Sequence, residues 1–427
     1  MKFINNIMAA LAVCAGFLAV SCEDQPDAFV ATDGIPQVDY VRYVDRDIVI
    51  TQAFMEETVC LVGENLRSIN QLWFNDQQAI LNTSLMTENT LIAAVPKTFA
   101  KVQTDKIYMI TTAADTVTYD FKVLPPAPVV KKMSNEYAKP GEIVTITGQY
   151  FLSPLTVEMQ GAVIEEKDIT FTDTEMSFAI PEGAKPGLIK VITPSGTTAS
   201  IFHYRDQRGL ITNFDGGTDI VPQGWNFKGV YSSEGGVDGN YVELKSANVL
   251  DESGAWNEDY KIDFWCGNWN GDPMSVTSGP GTPICYVVDF TNFKNMGLKF
   301  ELCIPKSNPW SSGAMQLIFA SSDRAANDSW QNNTFVKTST EGGLDLCRGL
   351  WRPWEETGEF HTDGKWITVT VPFSEFIYNA DGTLGKVPLE KPEDFASFVI
   401  WPWSGGVNGK ACNPIFRIDN IRAVPVK

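Results

Sequence analysis

The chain has 427 residues, 44% of them hydrophobic and 11% aromatic, which is the composition of a folded protein long enough to bury several separate cores. Its formal net charge is -19. A field of that sign repels phosphate, and so weighs against nucleic acids and anionic membrane surfaces as partners while leaving neutral ligands unpenalised.

The first element is an apolar run, "IMAALAVCAGFLAV", 14 residues long and following Lys2. It is too short to span a bilayer and has the length of a signal-peptide core. It ends in Leu18, Ala19, Val20 and Ser21 ahead of Cys22, which resembles a bacterial lipobox with the leucine one position early. On this reading residues 1–21 are a lipoprotein signal peptide, Cys22 is the lipidated first residue of the mature chain and residues 22–35 form a flexible tether. Glu23 and Asp24 resemble the acidic signal that sends Bacteroidetes lipoproteins to the cell surface; a plain secretory signal is the alternative. Six cysteines follow (Cys60, Cys266, Cys285, Cys303, Cys347 and Cys412), widely spaced and without a CxxC pair. Most read as small buried side chains, with pairing left open.

Next comes a repeat. "EETVCLVGENL" (56–66) and "GEIVTITGQYF" (141–151) share one pattern, and "AAVP" (93–96) and "FAIP" (178–181) follow them, both landmarks being offset by 85 residues. Short period-two segments between turn residues predict two all-β sandwich modules, over 36–124 and 126–205. Gly63 and Gly148 mark backbone positions where a side chain would clash. "LPPAPVV" joins the modules, and its prolines favour an extended, stiff spacer. "VTITGQYF" with "FAIPEGAKPGLIKVITPSG" resembles the IPT/TIG family of immunoglobulin-like domains, which implies spacer modules.

From residue 207 to 427 the composition shifts: eleven of the twelve tryptophans lie there. Strand patterns ("ICYVVDF", "GLKFELCIP", "AMQLIFAS", "KWITVTVPF", "SFVIWPW", "FRIDNIRAV") alternate with Gly, Asn, Ser and Pro clusters, predicting one large β-sandwich of jelly-roll type. The fold class expected is therefore all-β, tandem immunoglobulin-like sandwiches followed by a larger jelly-roll-type sandwich. Trp366 and Trp401 sit in strand patterns and read as core; Trp225 fits either environment. Trp310, Trp330, Trp351 and Trp354 are set among loop-type residues and are expected to be partly exposed. An exposed flat ring on a polar, acidic protein suits the apolar face of a pyranose, with polar side chains at the edge for its hydroxyls. Asn308, Asn327, Asp328, Asn332 and Arg352 are the candidates for that edge. A purely structural role for Trp351 and Trp354, capping the end of the sandwich, is the competing expectation.

A lipoprotein signal, IPT/TIG-like modules joined by proline, and a tryptophan-rich C-terminal domain with "NPW", "LWRPW" and "RIDNIR" together resemble the surface glycan-binding proteins of Bacteroidetes polysaccharide utilisation loci. The resemblance implies a non-catalytic, lipid-anchored outer-membrane protein on the cell surface. It would hold β-glucan or hemicellulose (xyloglucan or mixed-linkage β-glucan) on an aromatic platform beside a SusC/SusD-like complex. Carried over, the platform falls on Trp310, Trp351 and Trp354, with Trp330 as a further member. No cofactor is implied, although Asp215 and Asp419 could hold a structural calcium. A jelly-roll glycoside hydrolase would need two carboxylates flanking the scissile bond, yet "KIDFW" and "FRIDNI" each present a lone aspartate. The two histidines, His203 and His361, make a nucleophilic triad improbable. A protein-binding adhesin is the other rival, disfavoured because protein interfaces also want a contiguous aliphatic patch.

Overall fold

The computed structural model describes residues 29–216, 218, 220–222, 227–264, 266, 282–322 and 336–427. The signal peptide, Cys22 and the start of the tether lie outside the described residues, as do Trp225, Trp265, Trp269 and Trp330. The chain divides into two compact units, residues 1–126 and 127–427.

The first unit is a sandwich of two four-stranded antiparallel sheets. One orders Val49–Ile50, Gln37–Tyr43, Thr58–Glu64 and Thr90–Ala94; the other orders Gln77–Ala79, Ile69–Phe74, Lys106–Thr111 and Thr116–Asp120. Lys106–Thr111 buries every second residue, as a strand with one face on a core must. Val41, Leu61, Leu72, Phe74, Ile107 and Met109 fill the space between the sheets.

The second unit begins with the same plan. Val129–Met133, Ile143–Gln149, Glu175–Ala179 and Thr170–Phe171 form one sheet, and Ala162–Glu165, Thr156–Met159, Gly187–Thr193 and Gly196–Tyr204 the other. The strand Ile143–Gln149 and its counterpart Thr58–Glu64 are 85 residues apart, as are Glu175–Ala179 and Thr90–Ala94. The glycines behave alike. A Cβ on Gly63 would lie 1.8 Å from the carbonyl oxygen of Gln37, and one on Gly148 would lie 1.9 Å from that of Val129. In both cases the partner strand carries a bulge at that point, between Val38 and Tyr40 and between Val130 and Lys132. The bulge turns a carbonyl toward the neighbouring strand, where only glycine leaves room. Two residues on, Asn65 and Tyr150 both adopt a left-handed backbone, at φ 55° and 63°.

The rest of the second unit is a larger sandwich. One sheet orders Val230–Ser232, Tyr241–Leu244, Phe416–Pro425, Met296–Cys303 and Ile367–Pro372, with Leu210–Thr212 also paired to Phe416–Pro425. The facing sheet orders Ile262–Phe264, Ser397–Trp403, Ala314–Ala320 and Gly349–Trp351. Aromatic rings dominate the space between them: Phe290 stacks on Phe395 at 4.2 Å and Phe319 on Phe398 at 4.4 Å. Among the described residues the six later cysteines are unpaired, four of them buried. Met296–Cys303 is buried along its whole length, although its sequence alternates Lys299 and Glu301 with Leu298, Phe300 and Leu302. Such alternation normally leaves one face in water; here the second immunoglobulin-like module covers it.

Candidate functional site

The structure brings Trp310, Trp351 and Trp354 together, but packs them inward. Trp310 is fully buried, its ring 5.3 Å from Phe416 and 5.7 Å from Trp351, and its indole N–H donates to the Ser312 carbonyl at 2.6 Å. Trp354 is 3% exposed and donates to the Gly313 carbonyl at 2.8 Å. The expectation of exposed rings at Trp310 and Trp354 is therefore corrected. Two of the small residues that made the surroundings read as loop, Ser312 and Gly313, instead supply carbonyl acceptors that let an indole be buried with its N–H satisfied. Trp351 is half-buried. Gly349–Trp351 is an edge strand of the smaller sheet, and Trp351, opposite Met315, points toward Phe300 of the facing sheet.

The proposed polar partners are engaged structurally. The Arg352 guanidinium pairs with Glu355 at 2.5 Å and donates to the Gly405 carbonyl, while Asn308 donates to the Asn413 carbonyl at 3.1 Å. Trp330, Asn327, Asp328 and Asn332 lie outside the described residues. Trp401 is fully buried, whereas Trp366, also expected in the core, is only half-buried, with its N–H on the Gly235 carbonyl at 2.7 Å. The calcium candidates differ in environment. Asp215 is exposed and accepts from the Asn240 amide at 2.6 Å, whereas burial pushes the Asp419 carboxyl up to about 9. Among the described residues no group of three or more His, Cys, Asp and Glu is placed to hold a metal.

Among the described tryptophans, the one with the most exposed ring is Trp256, at 36%. Its position follows from the smaller sheet. Along Ser397–Trp403, Phe398 and Ile400 point into the sandwich, so Trp401 and Trp403 lie on the opposite face. The 251–257 segment crosses that face. Asp251 gathers its first turn by accepting from the Ser253 and Ala255 amides, and the Ser404 amide donates to the Gly254 carbonyl at 2.7 Å. The close approach is possible because Gly254, at φ 68°, sits against Gly313; a Cβ there would be 2.5 Å from the Gly313 Cα. Trp256 is thereby set 4.0 Å from Trp401 and 4.9 Å from Trp403, edge-on to both.

Polar groups surround the ring. The Trp256 N–H donates to Glu258 at 2.8 Å, and the Lys337 ammonium lies 5.7 Å over the indole. Beneath, Lys261 is 5.0 Å over Trp401 and pairs with Glu258 at 3.0 Å and Asp263 at 3.7 Å. The Trp401 N–H donates to the Asn257 carbonyl, and the Asn257 side chain caps the 3-10 turn Glu258–Tyr260. A partly exposed indole, fixed from behind by two more and edged with carboxylate and ammonium groups, can stack on an apolar ring face and hydrogen-bond its periphery. Sequence reasoning missed Trp256; its one signal was the "DESGAW" turn composition, shared by many loops.

The family comparison agrees with a site in this sandwich. Residues 204–425, more than half of the chain, match the model of the surface glycan-binding protein B xyloglucan-binding domain. The chain belongs to this family of surface glycan-binding proteins. The surface glycan-binding protein PbSGBP-B from Prevotella bryantii is 35% identical, and its crystal structure superposes over 93% of this chain and 100% of that one with a TM-score of 0.78. An IPT/TIG domain-containing protein of Bacteroides ovatus is 31% identical over 144 residues, 32% of this chain and 28% of that protein. Surface glycan-binding proteins are cell-surface proteins, and these relatives are named for glycan binding or domain content, not for catalysis.

Proposed function

We propose that this protein is a non-catalytic receptor that captures β-glucan chains, xyloglucan or mixed-linkage β-glucan, at the Trp256 face of its C-terminal sandwich. The observation that carries the reading is Trp256 itself, partly exposed and braced by Trp401 and Trp403 within the sandwich that matches the xyloglucan-binding model. Stacking one pyranose buries about 100 Å² of apolar surface and contributes about 2.5 kcal/mol gross at roughly 25 cal/mol/Å². A few such contacts, less the ordering of a flexible chain, give affinities on the order of micromolar to millimolar. That range suits capture followed by release. Lipidation of Cys22 would hold the receptor at the outer membrane, and a SusC/SusD-like complex would take the chain onward. The absence of a His-dependent triad and of paired strand carboxylates in the sequence supports binding without hydrolysis.

Calorimetry and affinity electrophoresis against xyloglucan, barley mixed-linkage β-glucan, galactomannan and starch test the proposal. The expected result is retardation by a β-glucan that Trp256→Ala abolishes while the melting transition is retained. Binding indifferent to Trp256→Ala, or no binding to any of the four, would sink it.

A further inference from the structure

At the boundary between the second immunoglobulin-like module and the large sandwich lie four charged side chains, each at most 4% exposed: Glu136, Lys299, Glu301 and Arg422. Glu136 belongs to the module, in the turn after Val129–Met133; the other three belong to two adjacent strands of the sandwich. Glu136 accepts from Lys299 at 2.5 Å and from Arg422 at 2.8 Å, and Arg422 grips Glu301 with two bonds of 2.8 and 3.0 Å. Thr368 ties the halves again, donating to Glu301 at 2.9 Å and accepting from the Glu136 amide at 2.7 Å, while its own amide donates to the Ser134 carbonyl at 2.8 Å. The Arg422 guanidinium also lies 5.1 Å from the Tyr137 ring.

The sandwich alone supplies two cations and one anion to this network, and Glu136 brings it to neutrality. Buried charges persist only when paired and hydrogen-bonded, so the sandwich face cannot stay dry without the module. An apolar patch tolerates sliding, whereas a bidentate guanidinium accepts one orientation. Packing beside the network is incomplete: a cavity of about 310 Å³ opens there, lined by Lys131, Lys132, Phe202, Lys299 and Thr370 among others. The directional bonds, more than shape, define how the two parts meet.

We propose that Glu136 is a positioning residue. The second module and the sandwich form one rigid body, and the module sets the direction in which the glycan-binding face is presented instead of acting as a loosely hung spacer. The link to presentation rests on the glycan-binding reading above; the rigidity does not.

Residual dipolar couplings of the whole mature chain test it. In the wild type, amides of residues 127–204 and 210–427 should fit one alignment tensor. In Glu136→Ala they should need two, with amide exchange at Lys299 and Arg422 rising at least tenfold, while affinity for a xyloglucan oligosaccharide stays within twofold. Should Glu136→Ala fail to fold, Thr368→Val, which removes the cross-link to the Glu136 amide and the bond to Glu301 but no charge, should raise exchange at the same amides. Two tensors in the wild type, one tensor in Glu136→Ala, or unchanged exchange in Thr368→Val would overturn the proposal. Loss of oligosaccharide binding by the wild type would count against the glycan reading alone.

Discussion

Two tryptophan groups of the large sandwich, Trp310 with Trp351 and Trp354, and Trp256 with Trp401 and Trp403, face opposite ways despite their similar make-up. In the first, rings flanked by Ser, Gly and Pro fold inward, because backbone carbonyls at Ser312 and Gly313 accept their N–H groups. In the second, rings from an ordinary strand lie on the outer face of a sheet and brace a third that reaches water. The difference teaches that the polarity of flanking residues does not set an indole's exposure. What sets it is which face of a sheet the ring stands on and whether an acceptor for its N–H is at hand.

Substitutions can break this contrast. The largest effect is expected for Trp310→Ala, which empties a fully buried site and should lower stability by about 3–5 kcal/mol, visible in denaturant unfolding. If Trp310→Ala melted like the wild type and lost only glycan affinity, the two groups would have to exchange roles. Glu136→Ala leaves Lys299 and Arg422 short of an anion, and the same measurement should register about 3 kcal/mol or more. Trp256→Ala should cost less stability than Trp310→Ala, since the ring is partly exposed, yet weaken β-glucan binding by roughly tenfold or more, worth about 1.4 kcal/mol.

A last effect concerns pH. Burial, reinforced by the negative charges of Glu301, Asp215 and Asp238, pushes the Asp419 carboxyl up to about 9. The folded state therefore holds a proton that the unfolded chain releases above about 4. Stability from this group is complete below pH 4 and declines as pH rises toward 9. Asp419→Asn, which is neutral throughout, should gain stability over the wild type progressively as the pH rises from 4 toward 9, with the advantage gone near pH 4. Thermal melts across that range would show the two curves converging on acidification; parallel curves would contradict the assignment.

Much of the fold was legible because it depends on local chemistry. Gly63 and Gly148 announce a strand that must pass a bulged neighbour closely, and alternation as in "KIYMIT" declares a half-buried strand. The site was less legible. Trp256 owes its place to Gly254 resting on Gly313 and to the register that turns Trp401 and Trp403 outward, contacts between segments about 60 to 150 residues apart. Lys299 and Glu301 alternate with apolar residues as a water-facing row does, and nothing nearby in the chain reveals the module that covers them.

By itself, then, the sequence determined the all-β class, the repeated module, the tryptophan-rich C-terminal sandwich and the family, since periodicity, turn glycines and composition are properties of short segments. Only the tertiary structure decided which of the described indoles are buried and that Trp256 is exposed, and that Glu136 completes a charge network begun by distant strands. Burial and ion pairing are relations between surfaces, and those surfaces exist only once the chain has folded.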